Sequence, residues 1–403
     1  MKEIELQNII WKFTLYLISN RRIYYAFIGV FYLSISGVSN ATIGWIFFVG
    51  SLASLILELP SGYIADRIGH KQALLIAKGA FLISTLFLLF ATGIPFLFLA
   101  AFFMNIGHAF HSGTASAFMH DTLQSLGKEK SFVHIMGKMK AWSQIIPLIL
   151  TATIPFLLTI DYHLPFLVML LVDIVGFLAL LSITSPQNTS TKVEVNEIGI
   201  QNFKNILKEA RAISFYRYAL FFGILSGALI ALVGFRSQYQ EFIGIPIIWF
   251  GMLFALGRLI SSALLFYSKK IYDSFGTIQR YTFFLFIFFL VLLGSLFLPS
   301  PWSVAIIFIV LNASQWGLDN VTTTYLLERI PTSKNKATLL SLEGQFREIS
   351  SGLFALGMGY SIHILSYPLA FLFSSLFLGF LLFPFLLSIL LDRKTFYPLK
   401  SHL

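Results

Sequence analysis

Apolar runs of about 20 residues recur along nearly the whole chain, each long enough to cross a bilayer as a helix. Hydrocarbon offers no hydrogen bonds, so a segment crossing it must satisfy its own backbone, and continuous apolar runs of this length do that as α-helices. The runs lie at 14–36, 41–63, 72–92, 94–119, 139–160, 164–185, 214–237, 246–268, 279–298, 302–326, 338–364 and 367–391. Turn signals separate them, among them Gly37 to Asn40, Thr92-Gly93, Gly244-Ile245-Pro246 and Pro299-Ser300-Pro301. With 57% hydrophobic and 11% charged residues, the chain has too little polar surface for a soluble globule, which carries roughly a quarter charged residues. The expected fold class is an all-α polytopic membrane protein of 12 transmembrane helices.

A net charge of +10 would suggest nucleic acid in a soluble protein. Here the basic residues follow the loops instead. Counted from a cytoplasmic N-terminus, the inner loops hold Arg67 and Lys71, Lys128 and Lys130, Lys192 to Arg217, Lys269, Lys270 and Arg280. They also hold Arg329, Lys334 and Lys336, and the tail holds Arg393, Lys394 and Lys400. The outer loops hold no lysine, and Arg236 is the arginine nearest them. That asymmetry predicts both termini in the cytoplasm, in a multi-pass protein of the plasma (inner) membrane. The partners expected are the lipid bilayer and a small-molecule solute, with no nucleic acid, for a chain acting as a monomer. The absence of cysteine removes disulfides, thiolate metal sites and cysteine nucleophiles. No Walker-type phosphate loop and no clustered catalytic set occurs, so neither an ATP-driven pump nor a membrane-embedded enzyme is expected, and no metal or cofactor. Residues 1–10 lack the features of a cleavable signal peptide, which leaves insertion to the first span.

The polar stretch Pro186 to Arg211 follows the sixth run, and its later part reads as an amphipathic helix on the inner face. It divides the chain into 1–187, a linker at 188–212, and 213–403. The halves look related. Asp66-Arg-Ile-Gly69 closes the second run and Asp273-Ser-Phe-Gly276 the eighth, while Gly113 and Gly317 sit at similar depth in the fourth and tenth. Two six-helix bundles related in this way suit alternating access around a midplane site.

The stretch Glu58-Leu-Pro60-Ser61-Gly62-Tyr-Ile-Ala-Asp66-Arg67-Ile-Gly69-His70-Lys71 resembles the loop between the second and third helices of the major facilitator superfamily. His70 and Gln72 stand where that pattern has basic residues. The resemblance covers the whole chain and implies secondary active transport of a small solute by alternating access. It also implies that Gly62, Asp66, Arg67, Gly69 and Lys71 form a conformational latch. Close helix approach at Gly62 and a tight turn at Gly69 are the physical expectations for the two glycines. The fourth run lacks the arginine of many proton-coupled members, and the fifth lacks the repeated glycines of drug–proton antiporters. Coupling to a proton gradient is the leading expectation. The alternatives are an uncoupled facilitator and a transporter-like sensor or assembly subunit.

Ionisable groups inside spans line pathways or pair with each other. Glu58 and the histidines His108 and His111 are candidate proton sites. In the tenth run the spacing of Asn312, Gln315, Trp316 and Asp319 predicts a single polar face, which the resemblance turns toward solute. Arg236 and Arg258 are its expected partners, holding an anionic group or neutralising Asp319. Asp173, in the sixth run, is expected to pair with Lys78, and Glu343 with Arg347 one turn on. The stretch from Arg22 to Glu58 is too short for two full spans, so Arg21 and Arg22 are expected inside the first helix. There one of them either snorkels to the headgroups or faces an aqueous cavity.

Overall fold

The computed structural model describes residues 2–128, 131–183, 215–330 and 336–392, and every regular element among them is helical. The amphipathic helix expected at 200–212 lies outside the described residues, as do Lys130, Lys334 and the basic tail from Arg393. The chain divides into two compact units, Met1–Thr191 with Gly244–Ala255, and Lys192–Ile243 with Leu256–Leu403.

The N-terminal unit contains α1 (Lys2–Ser19), α2 (Ile28–Ser34), α3 (Asn40–Ile68), α4 (His70–Leu89), α5 (Ile94–His111), α6 (Thr114–Ser125), α7 (Phe132–Thr153) and α8 (Leu164–Leu181). α1 packs on α7 and α8, α4 on α8, and α3 and α4 on α5. Phe13, Tyr16, Phe118, Met119, Met139 and Leu180 form its inner core. The first span is not one helix. α1 ends at Ser19, and a 3-10 turn over Ile23–Ala26 precedes α2. Phe166 of α8 fills the angle this makes, its ring 5.3 Å from Tyr24, 6.2 Å from Phe27 and 4.3 Å from Phe31. Arg21 and Arg22 therefore stand in a break rather than inside a helix, which corrects the sequence expectation.

The C-terminal unit contains α9 (Phe215–Gly234), α10 (Arg236–Phe242), most of α11 (Ile248–Phe266), α12 (Ser268–Phe275), α13 (Ile278–Ser295), α14 (Pro301–Gly317), α15 (Asp319–Glu328), α16 (Lys336–Ile364) and α17 (Tyr367–Leu390). α9 packs along α16, and α13 along α17. The first contact depends on Gly223 and Gly227: a Cβ on Gly223 would lie 2.8 Å from the carbonyl oxygen of Glu343 and 2.7 Å from Phe346 Cβ. Small residues four apart let two backbones approach where lipid gives no hydrophobic drive to associate.

Among the described residues, ten helices are long and apolar enough to cross a membrane. Two of the twelve expected runs are not among them: the broken first span and α16, whose first half carries Glu343, Arg347 and Glu348. Large apolar side chains stay exposed along the outer faces, Phe380 at 80% and Leu171 at 56% among them, which suits contact with lipid rather than water.

The two Asp-x-x-Gly turns are alike in the backbone. Gly69 has φ +96° and Gly276 φ +65°, both in the region where a side chain is strained. Each lets the next helix begin within two residues, at His70 and at Ile278.

Candidate functional site

In the N-terminal unit the break in the first span aims Arg22 inward. Its Nη1 and Nη2 each donate to Asp173 at 2.8 Å, and both side chains are fully enclosed. Lys78 Nζ adds a third bond to Asp173 at 2.6 Å and Thr85 Oγ1 a fourth at 2.7 Å. The Asp173–Lys78 pair was expected; Arg22 was not connected to it, because a straight helix would have carried it elsewhere. Two cations share one carboxylate, so the cluster holds one positive charge in excess. Such a group persists only when every polar atom is bonded. Backbone oxygens help: Arg22 Nη2 donates to Ser19 O at 2.5 Å and Lys78 Nζ to the same oxygen at 3.0 Å. Gly176, one turn after Asp173, makes room, since a Cβ there would overlap Ser19 Oγ and come within 3.1 Å of Lys78 Cε.

The network continues outward. Lys78 Nζ also donates to Asn20 Oδ1 at 3.2 Å, and Asn20 Nδ2 lies 3.3 Å from His111 Nδ1. Tyr16 Oη is 2.8 Å from the same nitrogen. His108, one turn before His111, meets Tyr25 Oη at 3.3 Å and packs edge-on against Phe81. α5 ends at His111 and the chain turns at Gly113, whose φ of +74° starts α6.

The Gly62–Lys71 segment lies at the end of α3. Gly69 makes the turn, but nothing lies within 4 Å of a Cβ placed on Gly62, so close helix packing is not the reason for that glycine. Asp66 is exposed, and His70 joins it at 3.7 Å while bonding Asp121 of α6 at 2.8 Å. Arg67 lies over the Tyr63 ring at 5.2 Å. Lys71 Nζ donates to the carbonyls of Leu181 at 3.0 Å and Ile183 at 2.5 Å, where the open end of α8 favours a cation. Glu58 is half-buried one turn before Ser61, whose hydroxyl bonds Ala109 O of α5 at 3.0 Å.

In the C-terminal unit the seventh and tenth runs are also broken. α9 gives way to α10 at Phe235, and α14 to α15 at Leu318. The expected polar face divides, and only Asp319 lies beyond the second break. Asn312 is buried against α11 at Gly257, where a Cβ would lie 2.8 Å from its Nδ2. Trp316 stands under the Arg258 guanidinium, 4.3 Å from the ring centre. Gln315 and Asp319 instead line a pocket of about 50 Å³ with Ser226, Ser314, Thr322 and Glu343. The cation whose field reaches Asp319 is Arg347, itself 3.4 Å from Glu343. Arg236 is buried in α10, beside the buried Gln238 and Gln240, and senses Arg258 as a like charge. So Arg258 lies over Trp316, a member of the expected polar face. A second ionic group lies near the start of α9: Asp392 bonds Arg217 and the Tyr218 hydroxyl (2.9 Å), with Arg329 at 3.9 Å. Among the described residues no group of three or more metal-ligating side chains occurs.

The family model described as Major Facilitator Superfamily matches residues 14–355. The chain belongs to this superfamily. Solved structures share the fold at low identity. The nucleoside transporter NupG superposes with a TM-score of 0.76 at 14% identity, covering 96% of this chain and 98% of its own. A bacterial homolog of the human lysosomal transporter Spinster, inward-facing and unoccupied, gives 0.68 at 14% identity, covering 97% and 96%. The D-xylose–proton symporter gives 0.63 at 13% identity, covering 93% and 96%. No curated protein sequence matches the chain.

For this superfamily member, sequence reasoning found the acidic and basic side chains but not two of their partners. Arg22 was hidden by the break at Asn20–Arg22, and Asp121 by its position in α6, 51 residues beyond His70. The glycine and asparagine around those points were the available signals, since breaks favour residues that leave the helix readily.

Proposed function

We infer that this member of the superfamily is a secondary active transporter that carries a small solute by alternating access, driven by a proton gradient. One observation carries the reading. In both units the corresponding fourth and tenth spans are interrupted, at Gly113 and Leu318, and the first span is interrupted at Asn20–Arg22. Interrupted spans expose backbone ends and polar side chains at depth, and that is tolerated where they line a pathway. Asp319 and Glu58 are the carboxylates proposed to carry the proton, and Gln315 with Asp319 to meet the solute. The reading includes twelve spans in two six-helix bundles, 1–187 and 213–403 joined by 188–212. It also includes cytoplasmic termini in the inner membrane, a monomeric working unit and no enzymatic reaction. The Gly62–Lys71 loop serves as the latch, a role supported by the way His70 ties Asp66 to Asp121.

The test is a solute screen in proteoliposomes under an imposed pH gradient, comparing wild type with Asp319→Asn and Glu58→Gln. Gradient-driven accumulation lost in Asp319→Asn is the expected outcome. Flux indifferent to the gradient and to both substitutions would remove proton coupling. The chain has no cysteine, so single introduced cysteines report which side each position is open to. Labelling that never changes sides under any condition would remove alternating access.

A further inference from the structure

The network around Asp173 has a direction. The Lys78 ammonium can only donate, so the Asn20 atom facing it is the acceptor Oδ1, at 3.2 Å. That orientation leaves Asn20 Nδ2, a donor, facing His111 Nδ1 at 3.3 Å. His111 Nδ1 must then be the bare nitrogen, and it accepts from the Tyr16 hydroxyl at 2.8 Å. The imidazole proton accordingly sits on Nε2. Each link hands its hydrogen bond outward: ammonium to amide, amide to imidazole, imidazole Nε2–H to whatever lies beyond. A chain of donors polarised by a buried cation strengthens its last member.

Arg21 stands in the break between Asn20, which bonds His111, and Tyr25, whose hydroxyl meets His108 at 3.3 Å, so its guanidinium is carried on the segment that crosses both imidazoles. Arg21 is exposed, and among the described residues its guanidinium forms no ion pair. The only carboxylate of the cluster, Asp173, is fully occupied by Arg22, Lys78 and Thr85. The unit thus holds an excess buried charge, a chain of donors leading out of it, and a vacant guanidinium near the outlet.

We propose that Arg21 and His111 Nε2 form a receptor in the N-terminal unit for the anionic oxygen group of the solute, a carboxylate or a phosphate. The proposal rests on the transporter reading and gives its substrate a class: a small organic anion. Arg21 would supply the paired donors of a planar guanidinium and His111 a third donor of fixed direction. Tyr25 and His108 border the same exposed surface. The bound anion neutralises the positive charge that Asp173 leaves over.

Binding to the purified full-length protein in detergent tests this without requiring transport. Unfolding temperature is followed against benzoate, its uncharged counterpart benzamide, and inorganic phosphate, at constant ionic strength and up to about 10 mM, the weak end of solute affinity. Saturable stabilisation by benzoate or by phosphate, but not by benzamide, is expected, and which anion acts separates carboxylate from phosphate recognition. Arg21→Gln and His111→Phe should each weaken that binding about tenfold or more, the loss of one charge-assisted hydrogen bond, while Arg21→Lys retains part of it. Arg21→Gln should unfold near the wild-type temperature without ligand, because among the described residues its guanidinium forms no ion pair. No stabilisation by either anion, or equal stabilisation of Arg21→Gln and His111→Phe, overturns the proposal. Anion binding without solute flux would leave this site standing and remove the transporter reading. Gradient-driven flux of a neutral or cationic solute with no anion binding would do the reverse.

Discussion

Asp173 and Asp319 are both carboxylates within membrane-spanning segments, and their surroundings are opposite. Asp173 is enclosed, with four hydrogen bonds from Arg22, Lys78 and Thr85 and no contact with solvent. Asp319 begins α15 at the edge of a small pocket, exposed, with the nearest acting cation one helix away on α16. A carboxylate that already satisfies three partners has no capacity left for a changing one. A carboxylate at a helix N-terminus in an open pocket can take up a proton or a ligand without unravelling its neighbours. The first is part of the frame, and the second is the one proposed to meet the traffic.

The largest expected effect follows from the enclosed member of this pair. Asp173→Asn leaves two buried cations without their counter-charge, and stability should fall by about 3–5 kcal/mol. Asp319→Asn should change it by less than about 1 kcal/mol, as exposed substitutions do. Thermal unfolding of the two variants in detergent checks the contrast, and equal losses would break it. Next in size are the glycines that permit close approach in each unit. Gly176→Ala drives a methyl group into Ser19 and Lys78, and Gly227→Ala drives one into the backbone of α16 at Arg347 and Ser351. Each should cost about 1–3 kcal/mol. Gly62→Ala, with open space around it, should cost almost nothing by the same measurement.

Smaller again is the stacking of Arg258 on Trp316. Trp316→Ala should lower stability by about 1 kcal/mol, and Trp316→Phe by a fraction of that. Smallest is Lys71→Gln, which removes a cation from the end of α8 and should cost about 0.3–1 kcal/mol. Hydrogen exchange at the C-terminal end of α8 resolves that loss better than global unfolding does.

The apolar runs and the basic loops made the helices legible, because crossing hydrocarbon leaves a chain few choices, and the Glu58-to-Lys71 stretch made the family legible. The Asp66-to-Gly69 and Asp273-to-Gly276 repeats were legible for the same kind of reason: both glycines adopt positive φ. The breaks were not. Asn20-Arg21-Arg22 reads as a polar interruption that a helix can absorb, and only the fit of Phe166 against Tyr24 and Phe31 shows that the chain turns there. The break at Leu318 likewise has no turn residue of its own, and it sets Asp319 on a different helix from Asn312, Gln315 and Trp316. Helical spacing predicts one face only while the helix stays intact. Gly113 and Gly317, matched in the sequence, act differently: Gly113 turns the chain, whereas Gly317 makes room for Leu264 of α11.

Gly69 joins α3 and α4 through a single residue, so the two rods have a shared pivot and no slack between them. At 1.5 Å per residue, the 29 residues of α3 make a rod about 44 Å long, longer than the ~30 Å of hydrocarbon that it crosses. The last turns, from Pro60 onward, overhang the bilayer as a crank arm. A tilt of about 10° at the far end of such a rod swings its tip by about 8 Å. Asp66 and Arg67 ride on that tip, so a modest rotation about the Asn40 end of the rod is geared up to a displacement larger than any hydrogen bond they could keep.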